Sequence, residues 1–395
     1  MRVAVVGASG FVGATLVERL LGHGTDVRAL IHSSGGAWRL SRHGIPLPAF
    51  DLLSPAETAR ALDGCTHVVN CSRGTRALML EGLQNLLDAC RAARVERFVH
   101  VSSVAVYGDP PPPSSAHEDA PAEPARDGYG WDKLRQDRLV QEACRRGLPS
   151  VLVCPPYMTG RYSNFLLRLV RTIAEGRFAL VDGGAAPCNV VDVHDLAQAM
   201  ELALTNGPGD GSRVFVTHDE PISWRELAEA VAPLAAVASL PAMTAADGQR
   251  LARTGTPERA STLRTAKRIL GSSDVRAFLR EDPLAQRAFR LLGRATRALP
   301  ASLRGRVERL MRPPRRYAPP ASGPAWDRQL CTIQLRGVRH LGDKARAVLG
   351  YRPELSFADS MRGFRAWYAG TRGWGAEWAP LLRALEASAG GKEEE

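Results

Sequence analysis

A parallel, doubly wound α/β fold is predicted by three features of this 395-residue sequence. Short valine-rich runs alternate with amphipathic runs of helical length, which is the pattern of βαβ units with right-handed crossovers. A glycine triplet at spacing three (Gly7, Gly10, Gly13) separates the first such run from the first helix. Beyond about residue 160 the strands become shorter and more widely spaced, which predicts a second, smaller α/β lobe.

In chain order, Arg2 to Val6 reads as a buried strand, with a helix from Ala14. Gly7 permits the tight turn, Gly10 allows a pyrophosphate to approach the backbone, and Gly13 lets the helix pack on the sheet. Ser9 adds a hydroxyl donor, and the helix N-terminus adds free N–H groups and partial positive charge. Asp26 to Ile31 is the second strand; Gly44 to Phe50 leads to Asp51 and a short helix from Pro55 to Leu62. His67 to Asn70, Arg97 to Ser103 and Ser150 to Cys154 are further strands, and Glu81 to Ala93 and Trp131 to Arg146 are helices. Asp109 to Pro124 is proline-rich and reads as a loop without helix or ladder. Helices are expected at Asn164 to Gly176, Asp195 to Asn206 and Trp224 to Ala235, with short strands at Phe178 to Val181, Cys188 to Val193 and Arg213 to Thr217. The expected organisation is a Rossmann-type domain over 1–160, to which 189–217 partly returns, and a substrate lobe over 161–395 carrying a helical insertion over 245–339.

The net charge of +11 is almost entirely arginine, because the lysines are only Lys133, Lys267, Lys344 and Lys392. Nucleic acid is not expected as a partner, since the arginine-dense insertion lacks stacking aromatics. Within it, 275–312 reads as a basic amphipathic helical pair. A cap packed on the lobe is the preferred reading, and a peripheral membrane contact is the alternative. No run is long and apolar enough to span a membrane, so a cytoplasmic protein is expected. The seven scattered cysteines form no Cys-x-x-Cys pair, which argues against zinc or disulfides. His194 lies between Asp192 and Asp195, but neighbours on one strand face opposite ways, so no metal is expected. Asp195 is expected to cap the helix that follows.

Tyr129 and Lys133 stand four apart on one helix face. A phenol titrates near pH ~10, and an adjacent ammonium and a cationic nicotinamide lower that value. The pair therefore suits proton exchange with a substrate hydroxyl during hydride transfer.

Together the segments GASGFVG at Gly7 to Gly13, Asp51-Leu52, EGLQNLLDAC at Glu81 to Cys90, VSSVAVYG at Val101 to Gly108 and YGWDK at Tyr129 to Lys133 resemble the extended short-chain dehydrogenase/reductases, which include NAD-dependent epimerases and dehydratases. CPPYMTG at Cys154 to Gly160, NVVDVHDLAQA at Asn189 to Ala199 and DKARAVLGYRP at Asp343 to Pro353 extend the resemblance. It implies that Ser103 hydrogen-bonds the reacting oxygen, Tyr129 is the acid/base, and Lys133 is its electrostatic and ribose partner. It places Gly7, Ser9, Gly10, Phe11, Val12 and Gly13 at the cofactor pyrophosphate and Asp51 and Leu52 at the adenine. Cys71 and Ser72 would line the cofactor, and Pro155, Pro156 and Met158 the nicotinamide. Met79 departs from the asparagine of many relatives. Tyr107 is expected to pack rather than react, Trp131 to serve as core or dimer contact, and Arg161 and Arg171 to be either diphosphate ligands or surface.

The cofactor is expected to be NADP or NAD. NADP is preferred because Ile31-His32-Ser33-Ser34 offers no acid to the ribose hydroxyls, while His32 and the serines suit a 2′-phosphate. The function expected first is an NAD(P)-dependent oxidoreductase or epimerase acting on a hydroxyl or ketone carbon of a nucleotide-activated sugar. Val104 and Ala105 occupy the positions of the acid pair of family dehydratases, so a 4,6-dehydratase is not expected. The alternatives are a ketone reductase for a lipid-like or polyketide substrate and a non-catalytic cofactor-binding regulator. By the resemblance, the small-molecule enzyme would be a homodimer through Glu81 to Ala93 and Trp131 to Arg146.

Overall fold

The computed structural model describes residues 1–33, 37–254 and 326–372. The insertion helices expected over 275–312, and Ser34, lie outside the described residues. In chain order the strands are β1 (Arg2–Val6), β2 (Asp26–Leu30), β3 (His67–Asn70), β4 (Arg97–Val101), β5 (Ser150–Cys154), β6 (Tyr157–Thr159), β7 (Leu180–Val181), β8 (Val190–Asp192), β9 (Asp210–Phe215) and β10 (Ala242–Met243). Six form one parallel sheet in the order β2-β1-β3-β4-β5-β9. The segment before Phe50 adds a parallel bridge, Ile31 to Ala49, at the β2 edge.

The strands read as continuous apolar runs because both sheet faces are covered. Val3, Val5, Val69 and Val99 pack with Leu16, Val17 and Leu20 of α1 (Phe11–Gly22) and with Leu196 and Met200 further along the chain. Ala4, Val6, Val68, Phe98 and Leu152 face the opposite layer, with Leu86 and Leu87 and then Leu134 and Val140. Those residues belong to α4 (Leu83–Ala92) and α5 (Tyr129–Arg145), which follow α2 (Trp38–Ser41) and α3 (Pro55–Ala61). The lobe has its own core: Leu166, Leu169 and Ile173 of α6 (Asn164–Ala174), Trp224 and Leu227, and Met361 and Phe364 of helix Phe357–Arg372. Of the described residues, those of 1–248 and 326–372 belong to one compact unit.

Several local expectations are corrected. The N-cap of α7 (Val193–Thr205) is Asp192, whose Oδ1 accepts from the His194 N–H at 2.8 Å, and not Asp195. Val193, expected to end the preceding strand, is therefore the first residue of α7. Asp195 is buried in the first turn and accepts the Glu354 N–H at 2.8 Å. The proline-rich loop contains a 3₁₀ turn at Pro113–Ala116, with proline supplying its first φ. The segment before α4 is a π-type turn, Leu78–Gly82. The strand Arg213 to Thr217 runs instead over Asp210–Phe215, and α8 (Trp224–Val231) ends before a 3₁₀ turn containing Pro233.

Candidate active site

Strand order reverses between β1 and β3, and the loops that follow these two strands meet there, as in the crevices where such sheets bind ligands. Gly7 has φ +78°, and a Cβ added to it would lie 3.0 Å from the backbone of Cys71 and Ser72. A Cβ on Gly13 would fall 2.2 Å from the Gly7 carbonyl oxygen. No side chain fits there unless the turn moves. Gly10 is the N-cap of α1 and no side chain caps the helix, so its first N–H groups remain available to a phosphate. This cradle fits a dinucleotide, with Ser9, Phe11 and Val12 along its half-buried rim.

Around it, Ser72 is held by Asn70, whose Oδ1 accepts from the Ser72 N–H at 3.0 Å and from its hydroxyl at 2.7 Å. Asn70 in turn donates to His100 Nδ1 at 3.2 Å. His100 is fully buried and is held well below its usual pKa by desolvation. Cys71 is pushed up to about 12 by burial, so it lines the cleft as a neutral thiol. Asp51 is exposed and accepts the Leu53 N–H at 2.9 Å, while the carbonyl of buried Leu52 accepts from Asn85 at 3.1 Å. His32 is exposed at the end of β2. Pro155 accepts the Val104 N–H at 3.3 Å, and half-buried Met158 packs on the main core.

Ser103 caps the 3₁₀ turn Val104–Tyr107, its Oγ accepting the Ala105 N–H at 3.2 Å. Its hydroxyl faces the phenol of Tyr129, the first residue of α5, closely enough to favour the ionised form. Gly130 makes this approach possible, since a Cβ there would fall 2.2 Å from the Ala105 carbonyl oxygen. Although 43% of Tyr129 is exposed, desolvation raises its phenol above the ordinary value; the Arg73 charge and the Ser103 hydrogen bond oppose that rise. The neighbouring Ser102 points elsewhere, donating to Asp137 at 2.6 Å.

Lys133 is buried, and its Nζ donates to the Val101 carbonyl at 2.8 Å. Burial pulls its ammonium down to about 8, against the attraction of Asp137. Asp137 is fully buried; desolvation raises its carboxyl, opposed first by Arg213, whose Nε donates to it at 2.6 Å. Tyr129, Lys133 and Asp137 thus form one face of α5 at spacing four. Sequence reading missed Asp137, Gly130 and Arg73. The continued spacing of four could have found the first.

Tyr107 is buried and donates to the Glu118 carbonyl at 2.6 Å. Met79 is buried, with its carbonyl accepting from Gln136 at 2.7 Å. Trp131 is half-buried under the guanidinium groups of Arg126 and Arg138. Arg171 pairs with Glu175 at 3.9 Å, and Arg161 is exposed. Among the described residues no metal-binding group of histidine, cysteine or carboxylate side chains occurs, and all seven cysteines are free.

Residues 3–216 match the NAD dependent epimerase/dehydratase family. The chain is 32% identical over 318 residues to a 4-hydroxy-2-methyl-3-oxo-4-farnesyl-3,4-dihydroquinoline-1-oxide ketoreductase of Stigmatella aurantiaca, covering 75% of this chain and 93% of that protein. It is 28% identical over 267 residues to a UDP-glucose 4-epimerase of Streptomyces lividans, covering 58% of this chain and 79% of the epimerase. Its fold superposes with a TM-score of 0.63 on a nucleoside-diphosphate-sugar epimerase from Pseudomonas aeruginosa, at 20% identity and covering 94% and 98% of the two chains. With the glycine cradle at the strand-order reversal and the Ser103–Tyr129–Lys133 constellation beside it, these matches place the chain in the NAD dependent epimerase/dehydratase family of extended short-chain dehydrogenases/reductases.

Proposed function

We propose that this protein is an NAD(P)H-dependent ketoreductase acting on an apolar, lipid-like or polycyclic ketone. The observation that carries this reading is Tyr129 at the cleft with its phenol facing the Ser103 hydroxyl, and Val104 and Ala105 where a dehydratase needs further acids. NAD(P)H, held by the glycine cradle, supplies the hydride. Ser103 hydrogen-bonds the substrate carbonyl oxygen and orients it. Tyr129 donates its phenolic proton to that oxygen as the carbonyl carbon is reduced, and solvent then restores the proton. Lys133, tied to Val101, fixes the helix face and is available to a cofactor ribose. Elimination of water would require a second group to take the proton beside the carbonyl, so the reaction stops at the alcohol.

The substrate class is supported by the extent of the match to the Stigmatella ketoreductase. It is also supported by the lobe arginines. Arg168, Arg336 and Arg346 are paired with Asp327, Asp109 and Asp219 rather than presented to a diphosphate. Epimerisation of a nucleotide-activated sugar is the second reading, favoured by the similarity to the Streptomyces epimerase; it uses the same single proton-transfer site. NADP(H) is proposed over NAD(H), because Ile31, His32 and Ser33 provide no carboxylate for the ribose. A cytoplasmic homodimer is proposed; among the described residues no helix is long and apolar enough to cross a membrane.

The test is a panel of ring-fused and alkyl-chain ketones incubated with purified protein and NADPH or NADH, with UDP- and dTDP-hexoses alongside incubated with NADP⁺ or NAD⁺. Cofactor oxidation with the ketones, lost in Tyr129→Phe, is expected. Conversion of a hexose to its epimer without net change in the cofactor, and no turnover of any ketone, would overturn the reading.

A further inference from the structure

The family pattern assigns the positive charge that favours the tyrosine phenolate to the lysine one helical turn away. In this chain Lys133 is buried and bonded to the Val101 carbonyl at 2.8 Å, on the side of the sheet where Asp137 attracts it. Another cation stands over the ring: the guanidinium carbon of Arg73 lies 5.0 Å from the Tyr129 ring centroid. Arg73 follows the Asn70–Ser72 hydrogen bonds directly, so the buried His100–Asn70 contact holds the base of its loop. Its neighbour Arg76 is bound to Asp132 at 2.9 Å and lies 3.6 Å from Asp127, which leaves these carboxylates to Arg76.

We infer that Arg73 is an electrostatic positioning residue for the acid/base tyrosine, supplying from the β3 loop the positive charge that stabilises the Tyr129 phenolate. The groups facing Tyr129 come from each surrounding element. They are Arg73 from the β3 loop, Ser103 after β4, Cys154 at the end of β5, and Lys133 and Asp137 along α5. Asp137 and Cys154 disfavour the phenolate, whereas Arg73 and the Ser103 hydrogen bond favour it. A cation on a ring face interacts more strongly as that ring becomes electron-rich, so the contact strengthens when Tyr129 gives up its proton. In ketone reduction this stabilises the phenolate left after proton donation. In alcohol oxidation it raises the fraction of tyrosine ready to accept one.

This inference rests on Tyr129 being the acid/base, so its test reads the tyrosine proton without substrate. Protein labelled with ¹³C at tyrosine Cζ is titrated by NMR as wild type, Arg73→Gln and Arg73→Lys, with the Tyr129 resonance identified from Tyr129→Phe. Arg73 is exposed, so both variants are expected to fold, and circular dichroism confirms it. Arg73→Gln is expected to raise the Tyr129 midpoint by about one pH unit, the lower end of the effect of a close opposite charge. Arg73→Lys is expected to restore most of that difference. The alkaline limb of kcat for reduction moves upward by the same amount in Arg73→Gln. An unchanged midpoint in Arg73→Gln, or equal shifts in both variants, would overturn the inference. A shifted midpoint in a protein that reduces no ketone would overturn the ketoreductase reading and leave this one standing.

Discussion

Replacing Arg213 by Met tests the buried charge pair beneath the candidate active site. Arg213 lies on β9 with its side chain 13% exposed, and its Nε donates at 2.6 Å to Asp137, which is fully buried. The other Asp137 oxygen accepts only the Ser102 hydroxyl at 2.6 Å. Methionine would fill much of the same volume but leave the carboxylate with one hydroxyl and the attraction of Lys133. Removing one partner of a buried ion pair costs about 3–5 kcal/mol. The carboxyl is already raised by burial, and Arg213 is the largest influence opposing that rise, so its loss pushes the folded-state value higher. A carboxyl whose folded pKa lies above the unfolded value of about 3.9 stabilises the fold below that value, and this contribution is lost as pH rises through the folded pKa. Each pH unit below the new folded value therefore returns about 1.4 kcal/mol to the variant. Urea titrations of wild type and variant at pH 5 and pH 8 measure this. The variant should lose about 3–5 kcal/mol at pH 8 and distinctly less at pH 5. A loss below about 1 kcal/mol at pH 8, or the same loss at both values, would refute the argument that Arg213 is the chief influence opposing the rise of the Asp137 carboxyl.

Gly13→Ala should abolish NAD(P)H binding measured by fluorescence titration, because its Cβ would meet the Gly7 carbonyl oxygen at 2.2 Å; tight binding by that variant would discount the cradle. Tyr129→Phe should lower kcat by about 10²–10⁴-fold, the usual contribution of a general acid, with the cofactor Kd unchanged. Light scattering should report a homodimer. The outer faces of α4 and α5 carry exposed Gln84, Asp88, Arg91, Arg135 and Arg138, so this dimer should weaken as salt rises.

The sheet was legible because every strand and crossover helix has its own apolar period, and the glycine spacing marks where the order reverses. Tyr129, Lys133 and Ser103 were proposed from local motifs, and the fold sets Ser103 beside the start of the helix that carries the other two. Arg73 was not: it is one arginine among many, and only the fold brings the β3 loop over a ring at the start of α5. Asp137 and Arg213 were hidden for a related reason, since a charge reads as surface until its partner, 76 positions away, is placed beside it. The Asp192 cap was misassigned to Asp195 because both are aspartates near the helix start, and only backbone geometry distinguishes the residue that caps from the one buried in the first turn.

The central claim is that hydride is delivered to a ketone carbon and a single proton, from Tyr129, completes the reaction. A single-turnover reaction of purified protein with NADPH deuterated at the transferable C4 position, analysed by mass spectrometry and NMR, tests it most directly. The account predicts one deuterium on the carbinol carbon of the product, no loss of water, and near-complete loss of transfer in Tyr129→Phe. A product lacking the label, or one lighter by a molecule of water, would contradict it.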